Sequence, residues 1–170
     1  MERGNAYGAN GDRDRDRAIA DYDQAIRLDP KFALAFNNRC STYREKGDLE
    51  RAITDCNEAI RLDPKLAFAF NNRGIAWRDK GDLDRAMADY NEAIRLDPKF
   101  ALAYNDRGIV YSDKGDNDRA IAEYDQAIRF DPKYAGAYYN RGLAKRAKGD
   151  TAGADADIVA ARRINPNIGK

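Results

Sequence analysis

Between residues 82 and 97 the apolar side chains Ala86, Met87, Tyr90, Ala93, Ile94 and Leu96 recur at offsets 0, 1, 4, 7, 8 and 10, one face of an α-helix. The stretch ALAFNNRCSTYREK at residues 33–46, with its counterparts further along, reads as a first helix ending at a Lys-Gly-Asp stop. The glycine supplies a left-handed C-terminal cap. The following aspartate (Asp48, Asp82, Asp116 or Asp150) can N-cap a second helix, whose acidic first turn and late Arg61, Arg95 or Arg129 suit the helix dipole. An Asp-Pro pair then breaks that helix, because proline forces the residue before it out of the helical region. The predicted unit is a helical hairpin.

The unit repeats. Pro30, Pro64, Pro98, Pro132 and Pro166 lie 34 residues apart, Gly47, Gly81, Gly115 and Gly149 keep the same interval, and residues 67–100 and 101–134 share 21 identities in 34. Such a period signals stacked supersecondary units, each unable to bury its apolar face alone. The expected fold is therefore an all-α solenoid of antiparallel helix-turn-helix repeats.

Composition narrows the chemistry. The 170 residues include no histidine, which removes His-based triads, the usual general bases and most zinc sites. Two cysteines without Cys-x-x-Cys spacing give no metal centre, and no cofactor or catalytic residue is expected. A net charge of +1 names no partner in bulk, and no apolar run approaches the roughly 20 residues of a spanning helix, so no membrane is expected. The first residues carry no apolar leader core, which makes a cytoplasmic setting the expectation.

Numbering each unit 1 to 34 with Ala67 as position 1, the chain resembles the tetratricopeptide repeat family, whose pattern places small residues at positions 8, 20 and 27, aromatics at 11 and 24, and proline at 32. Gly74, Trp77, Ala86, Tyr90, Ala93 and Pro98 match it, as do Gly108, Tyr111, Ala120, Tyr124, Ala127 and Pro132. The resemblance implies a right-handed superhelix forming one array over 1–170: a partial repeat at 1–32, then 33–66, 67–100, 101–134, and a capping repeat at 135–168. In the first, Arg3, Gly4, Ala6, Tyr7, Gly11 and Asp12 align only with two residues inserted in the following Asp-Arg-Asp-Arg turn and four positions missing, so that its first helix should be the least stable. In the last, Asp155 and Arg162 replace aliphatic stacking residues, a polar face suited to the end of an array.

In the resembling family, positions 2, 5, 6, 9, 12 and 13 of the first helices face a peptide in a concave groove. That implies Asn37, Asn71, Asn105 and Tyr139 at position 5, Asn38, Asn72, Asp106 and Asn140 at position 6, and Arg44, Arg78 and Arg146 at position 12. An amide both donates and accepts, so a row of asparagines can bind an extended peptide backbone without reading its sequence; the alternative is a merely solvated face. The two-carboxylate clamp of chaperone-binding members is not present, because position 5 holds no lysine and position 6 no arginine.

First-helix stretches 33–46, 67–80, 101–114 and 135–148 carry +2, +2, 0 and +4, whereas 48–63, 82–97 and 116–131 carry −3 each. A groove lined by first helices would be basic, most so near Arg141, Lys145, Arg146 and Lys148, and would favour an acidic segment unless neighbouring helices neutralise one another. Arg3, Arg39, Arg73, Arg107 and Arg141 at position 7 stand opposite Asp21, Asp55, Asp89, Glu123 and Asp157 at position 23, which suggests an Arg-carboxylate ladder. Cys40 and Cys56 replace a glycine and a tyrosine at core positions and read as buried thiols, with a disulfide or a reactive thiol as the alternative. The expected function is non-catalytic binding of an extended peptide or partner segment. Self-association through the N-terminal end is the alternative, and nucleic acid is disfavoured because no RNA-reading module is present.

Overall fold

The computed structural model describes residues 3–170, with side chains from Gly11 onward. Among the described residues there are nine helices and no strand: α1 (Arg3–Leu28), α2 (Ala33–Glu45), α3 (Leu49–Leu62), α4 (Ala67–Asp79), α5 (Leu83–Leu96), α6 (Ala101–Asp113), α7 (Asn117–Phe130), α8 (Ala135–Ala147) and α9 (Thr151–Ile164). They form two compact units, Met1–Ala86 and Met87–Lys170. In the first, α2 packs against α1, α3 and α4, and α3 against α4; in the second, α7 packs against α6 and α8, and α8 against α6 and α9. This is the all-α helical-repeat solenoid that the period predicts.

The punctuation residues act as expected. Gly47, Gly81, Gly115 and Gly149 have φ between 78° and 87°, in the left-handed region that side chains with a Cβ avoid. Asp48, Asp82, Asp116 and Asp150 each accept a hydrogen bond from the backbone N–H three residues on, at 2.9 to 3.1 Å. At each Asp-Pro-Lys turn the aspartate also accepts from the lysine N–H, so these turns are fixed by a side chain as well as by proline.

Small residues set the helix spacing. Ala35, Ala52 and Ala59 in the first unit, and Ala103, Ala120 and Ala127 in the second, are buried to 2% exposure or less. At position 8 the approach is close, since a Cβ added to Gly108 would lie 2.7 Å from the Tyr124 ring.

Two expectations need correction. Helix α1 runs unbroken from Arg3 to Leu28 through the stop expected at Gly11–Asp12, and Gly11 is not among the positive-φ glycines. The Asp12–Arg15 pair does not set it apart, since Asp48–Arg51, Asp82–Arg85 and Asp116–Arg119 pair in the same way at the stops that form. The inserted residues do: Ala18 stands six positions after Asp12, where Ala52, Ala86 and Ala120 stand four after their aspartates, so a turn at Gly11 would swing the apolar face about 200° out of register. The alignment of Arg3, Gly4, Ala6 and Tyr7 falls outside the described side chains. Cys40 and Cys56 are fully buried as expected, but they are joined in a disulfide and are not thiols. Positions 8 and 24 face each other across the hairpin, with these Cα atoms 5.5 Å apart, within bridging reach.

Candidate functional site

The two asparagine rows have different places. Asn37, Asn71 and Asn105 are 3 to 5% exposed and lie inside the repeat stack. Asn38 is exposed, Asn72 and Asn140 are half-buried, and Asp106 is buried. Within the first unit the Asn72 amide donates to the Asn37 carbonyl at 2.9 Å, and Asn37 donates to Asn38 at 3.2 Å. The second unit repeats the motif, with Asn140 donating to Asn105 at 2.9 Å and Asn105 to Asp106 at 3.1 Å. Position 5 thus serves as a buried anchor that orients the amides of position 6. Burial of Asn37 and Asn105 is tolerable because each both donates and accepts within its motif.

Tyr139, the fourth member of the position 5 row, does something else: its ring lies against Gly169 in the C-terminal turn. Arg44 and Arg78 are half-buried around Asp79, each with an N–O distance of 3.3 Å, and Arg146 pairs with Asp155 at 2.6 Å. One turn before the position 6 residues stand Leu34, Phe68 and Leu102, with exposures of 48%, 51% and 39%. Their 34-residue spacing was visible in the sequence, but exposure of large apolar groups was not.

Three rungs of the expected Arg-carboxylate ladder are described within the two units. Arg39 forks onto Asp55 with both bonds at 2.7 Å, Arg107 reaches both oxygens of Glu123 at 2.8 Å, and Arg141 grips Asp157 at 2.5 and 2.8 Å. The Arg3 rung lies outside the described side chains. A further contact was missed: the four described position 7 arginines also donate backward to the preceding second helix, Arg39 to Asp23, Arg73 to Asn57, Arg107 to Asn91 and Arg141 to Asp125, at 2.5 to 2.7 Å. The signal was a polar residue sixteen positions before each arginine. A second set of backward bonds joins Lys46 to Asp16, Lys80 to Glu50 and Lys148 to Asp118. In the last repeat, the positions that would receive such bonds hold Tyr139, Ala152 and Val159, none of them a carboxylate or amide.

These pairings absorb the charge that the sequence segregates. Arg141, Lys145, Arg146 and Lys148 are all matched to carboxylates. The Arg39 guanidinium is held above its ordinary pKa, chiefly by its hydrogen bond to Asp55. Burial pushes the Asp157 carboxyl up, but bonds from Arg141 and Lys145 outweigh it and hold the group below the usual carboxylate value. A carboxylate depressed in the folded state adds stability that is fully present above the unfolded pKa, about 3.9, and lost as pH falls through the lower folded value. NMR titration of Asp157 should therefore give a midpoint below about 3.9, and a midpoint above it would mean that burial dominates.

Repeated cation-aromatic stacks complete the hairpins, with Arg51 over Tyr43 at 4.5 Å, Arg85 over Trp77 at 3.8 Å and Arg119 over Tyr111 at 4.8 Å. Among the described residues no His, Cys, Asp or Glu group is arranged to hold a metal ion, and no helix is long and apolar enough to cross a membrane.

Comparison with known proteins places these features. A family model described as tetratricopeptide repeat matches residues 1–67, and another described as TPR repeat matches 76–115 and 110–149. No curated protein matches the chain in sequence. Among solved structures, that of MamA is 28% identical, covers 98% of this chain and 96% of its own, and superposes with a TM-score of 0.72. TTC0263, a thermophilic TPR protein of Thermus thermophilus, is 21% identical with a TM-score of 0.81 over 91% of this chain and 84% of its own. YrrB, a TPR protein with an unusual peptide-binding site, is 23% identical with a TM-score of 0.64 over 96% and 84%. The matched stretches take in most of the sequence, and the chain belongs to the tetratricopeptide repeat family.

Proposed function

We propose that the protein is a non-catalytic interaction scaffold that binds an extended peptide or partner segment along the first helices of its repeats, divided at 33, 67, 101 and 135. The observation that carries this reading is the anchoring of Asn72 and Asn140 by buried Asn37 and Asn105. Amides held in a fixed orientation lose little freedom when a peptide backbone takes up their remaining hydrogen-bonding capacity. In the first unit Leu34 and Phe68 stand one turn away on the same helices, and Arg44 and Arg78 one to two turns beyond the amides. That order suits a segment with an apolar side chain at one edge, a backbone read in the middle, and an acidic group at the other. Acidic side chains contribute less than the net charge of the first helices suggests, because Arg44, Arg78 and Arg146 already face aspartates.

A peptide array probed with the whole chain supplies ligands for the test. Replacing Asn38, Asn72 and Asn140 by Ala should weaken those ligands whatever their side chains, by about 0.5 to 1.5 kcal/mol per lost bond. Replacing Arg78 and Arg146 by Ala should weaken only the acidic ones and flatten their salt dependence. Unchanged affinity in the folded asparagine variant would remove the backbone reading. Leu28 at the end of α1 is 78% exposed, which favours self-association through the N-terminal end as the second reading, and light scattering across a concentration series distinguishes it from a monomeric binder.

A further inference from the structure

The position 8 to position 24 contact is built differently in one hairpin. In the second unit Gly108 lies under Tyr124, and a Cβ there would meet ring carbons at 2.7 and 2.9 Å; Gly142 likewise faces Ile158, at 3.1 Å. In the α2–α3 hairpin the same two positions hold Cys40 and Cys56, each 0% exposed, within a core that includes Tyr43, Ala52, Ile53 and Ala76. A cysteine pair places fewer side-chain atoms at this point than a tyrosine over a glycine. Here the two helices are tied by a covalent bond, which the glycine pairs lack.

We propose that the Cys40–Cys56 bridge is a redox-operated lock on the α2–α3 hairpin, closed when oxidised and loosened when reduced. A dithiol reductant supplies two electrons and two protons: the S–S bond breaks, two S–H groups form, and the dithiol closes to its own disulfide. Two unbonded sulfurs cannot approach as closely as bonded ones, so on reduction the side chains must turn apart or the helices give way, and the covalent tie is lost in either case. Helix α2 also carries Asn37, which accepts from Asn72 and donates to Asn38, and Arg39, which donates to Asp55 and Asp23. Loosening it therefore disturbs that side-chain network, whereas α6 to α9 contain no cysteine and have no bond to lose. Both sulfurs are shielded from solvent, so reduction must wait for the hairpin to open, which makes the lock slow. In a reducing cytoplasm, the setting expected from the sequence, such a bridge would be conditional. The lock stands independently of the peptide-binding reading.

The test uses the full chain with and without dithiothreitol, completeness of reduction being read as two alkylated thiols by mass. Hydrogen exchange in α2 and α3 should quicken about 100-fold on reduction, from the loss of a loop closure of this length, while α6 to α9 keep their rates. C40S/C56S should exchange like the reduced protein without reductant, and C40G/C56Y, which installs the pair used in the second unit, should be indifferent to it. The proposal is overturned if the fully reduced protein exchanges like the oxidised one, if α6 to α9 loosen equally, or if both thiols alkylate in unfolded, air-oxidised protein that has met no reductant. Should C40G/C56Y fail to fold, the comparison of C40S/C56S with the reduced protein still decides.

Discussion

Replacing Arg39 by Met should destabilise the protein by about 3 to 5 kcal/mol, the cost of leaving a buried carboxylate without its partner. Asp55 has only 8% of its side chain exposed, and both of its oxygens accept from the Arg39 fork at 2.7 Å. Methionine keeps much of the aliphatic stem but none of the donors. The third bond, to Asp23, matters less because Asp23 is 42% exposed and water replaces the arginine there. R39M/D55L should recover most of the loss, since an apolar pair of similar bulk removes the unpaired charge. Urea unfolding of the two variants measures the difference, and a loss below about 1 kcal/mol for R39M alone would place the pair among solvated surface bridges.

Tyr124→Ala should cost about 3 to 5 kcal/mol, in the range for emptying the volume of a buried aromatic ring, because Tyr124 is 2% exposed and packs on Gly108. Gly108→Ala should separately cost about 1 to 3 kcal/mol, since its new Cβ would meet ring carbons at 2.7 and 2.9 Å. Combined, the two should cost less than their sum, because the ring that obstructs the methyl group is gone. Strict additivity in a double-mutant cycle would show that the two positions do not form one contact.

The period, the caps and the hairpins were legible because each rests on local chemistry: glycine where φ is positive, aspartate where N–H groups lack partners, proline where a helix must end. The unbroken α1 was not, because its Gly11–Asp12 sequence copies the stops elsewhere while the two residues inserted after it set the apolar face out of register with a turn at that point. The asparagine rows were visible as spacing, but neighbouring helical positions point about 100° apart, and only packing decides which row turns inward. The disulfide could have been read. The register that sets Arg39 against Asp55 sets Cys40 against Cys56 one residue further on, both sixteen apart.

The backward bonds have a direction. Arg39 and Lys46 reach to Asp23 and Asp16, Arg73 and Lys80 to Asn57 and Glu50, and Arg141 and Lys148 to Asp125 and Asp118, always from a later repeat to an earlier one. A chain leaving the ribosome N-terminus first therefore exposes its acceptors before the matching donors are made. Most inter-repeat bonds can thus close as each hairpin emerges onto a finished surface, while Arg15 and Arg44 wait for Glu45 and Asp79 in the repeat that follows. Assembly during translation becomes a largely vectorial process written into the side chains.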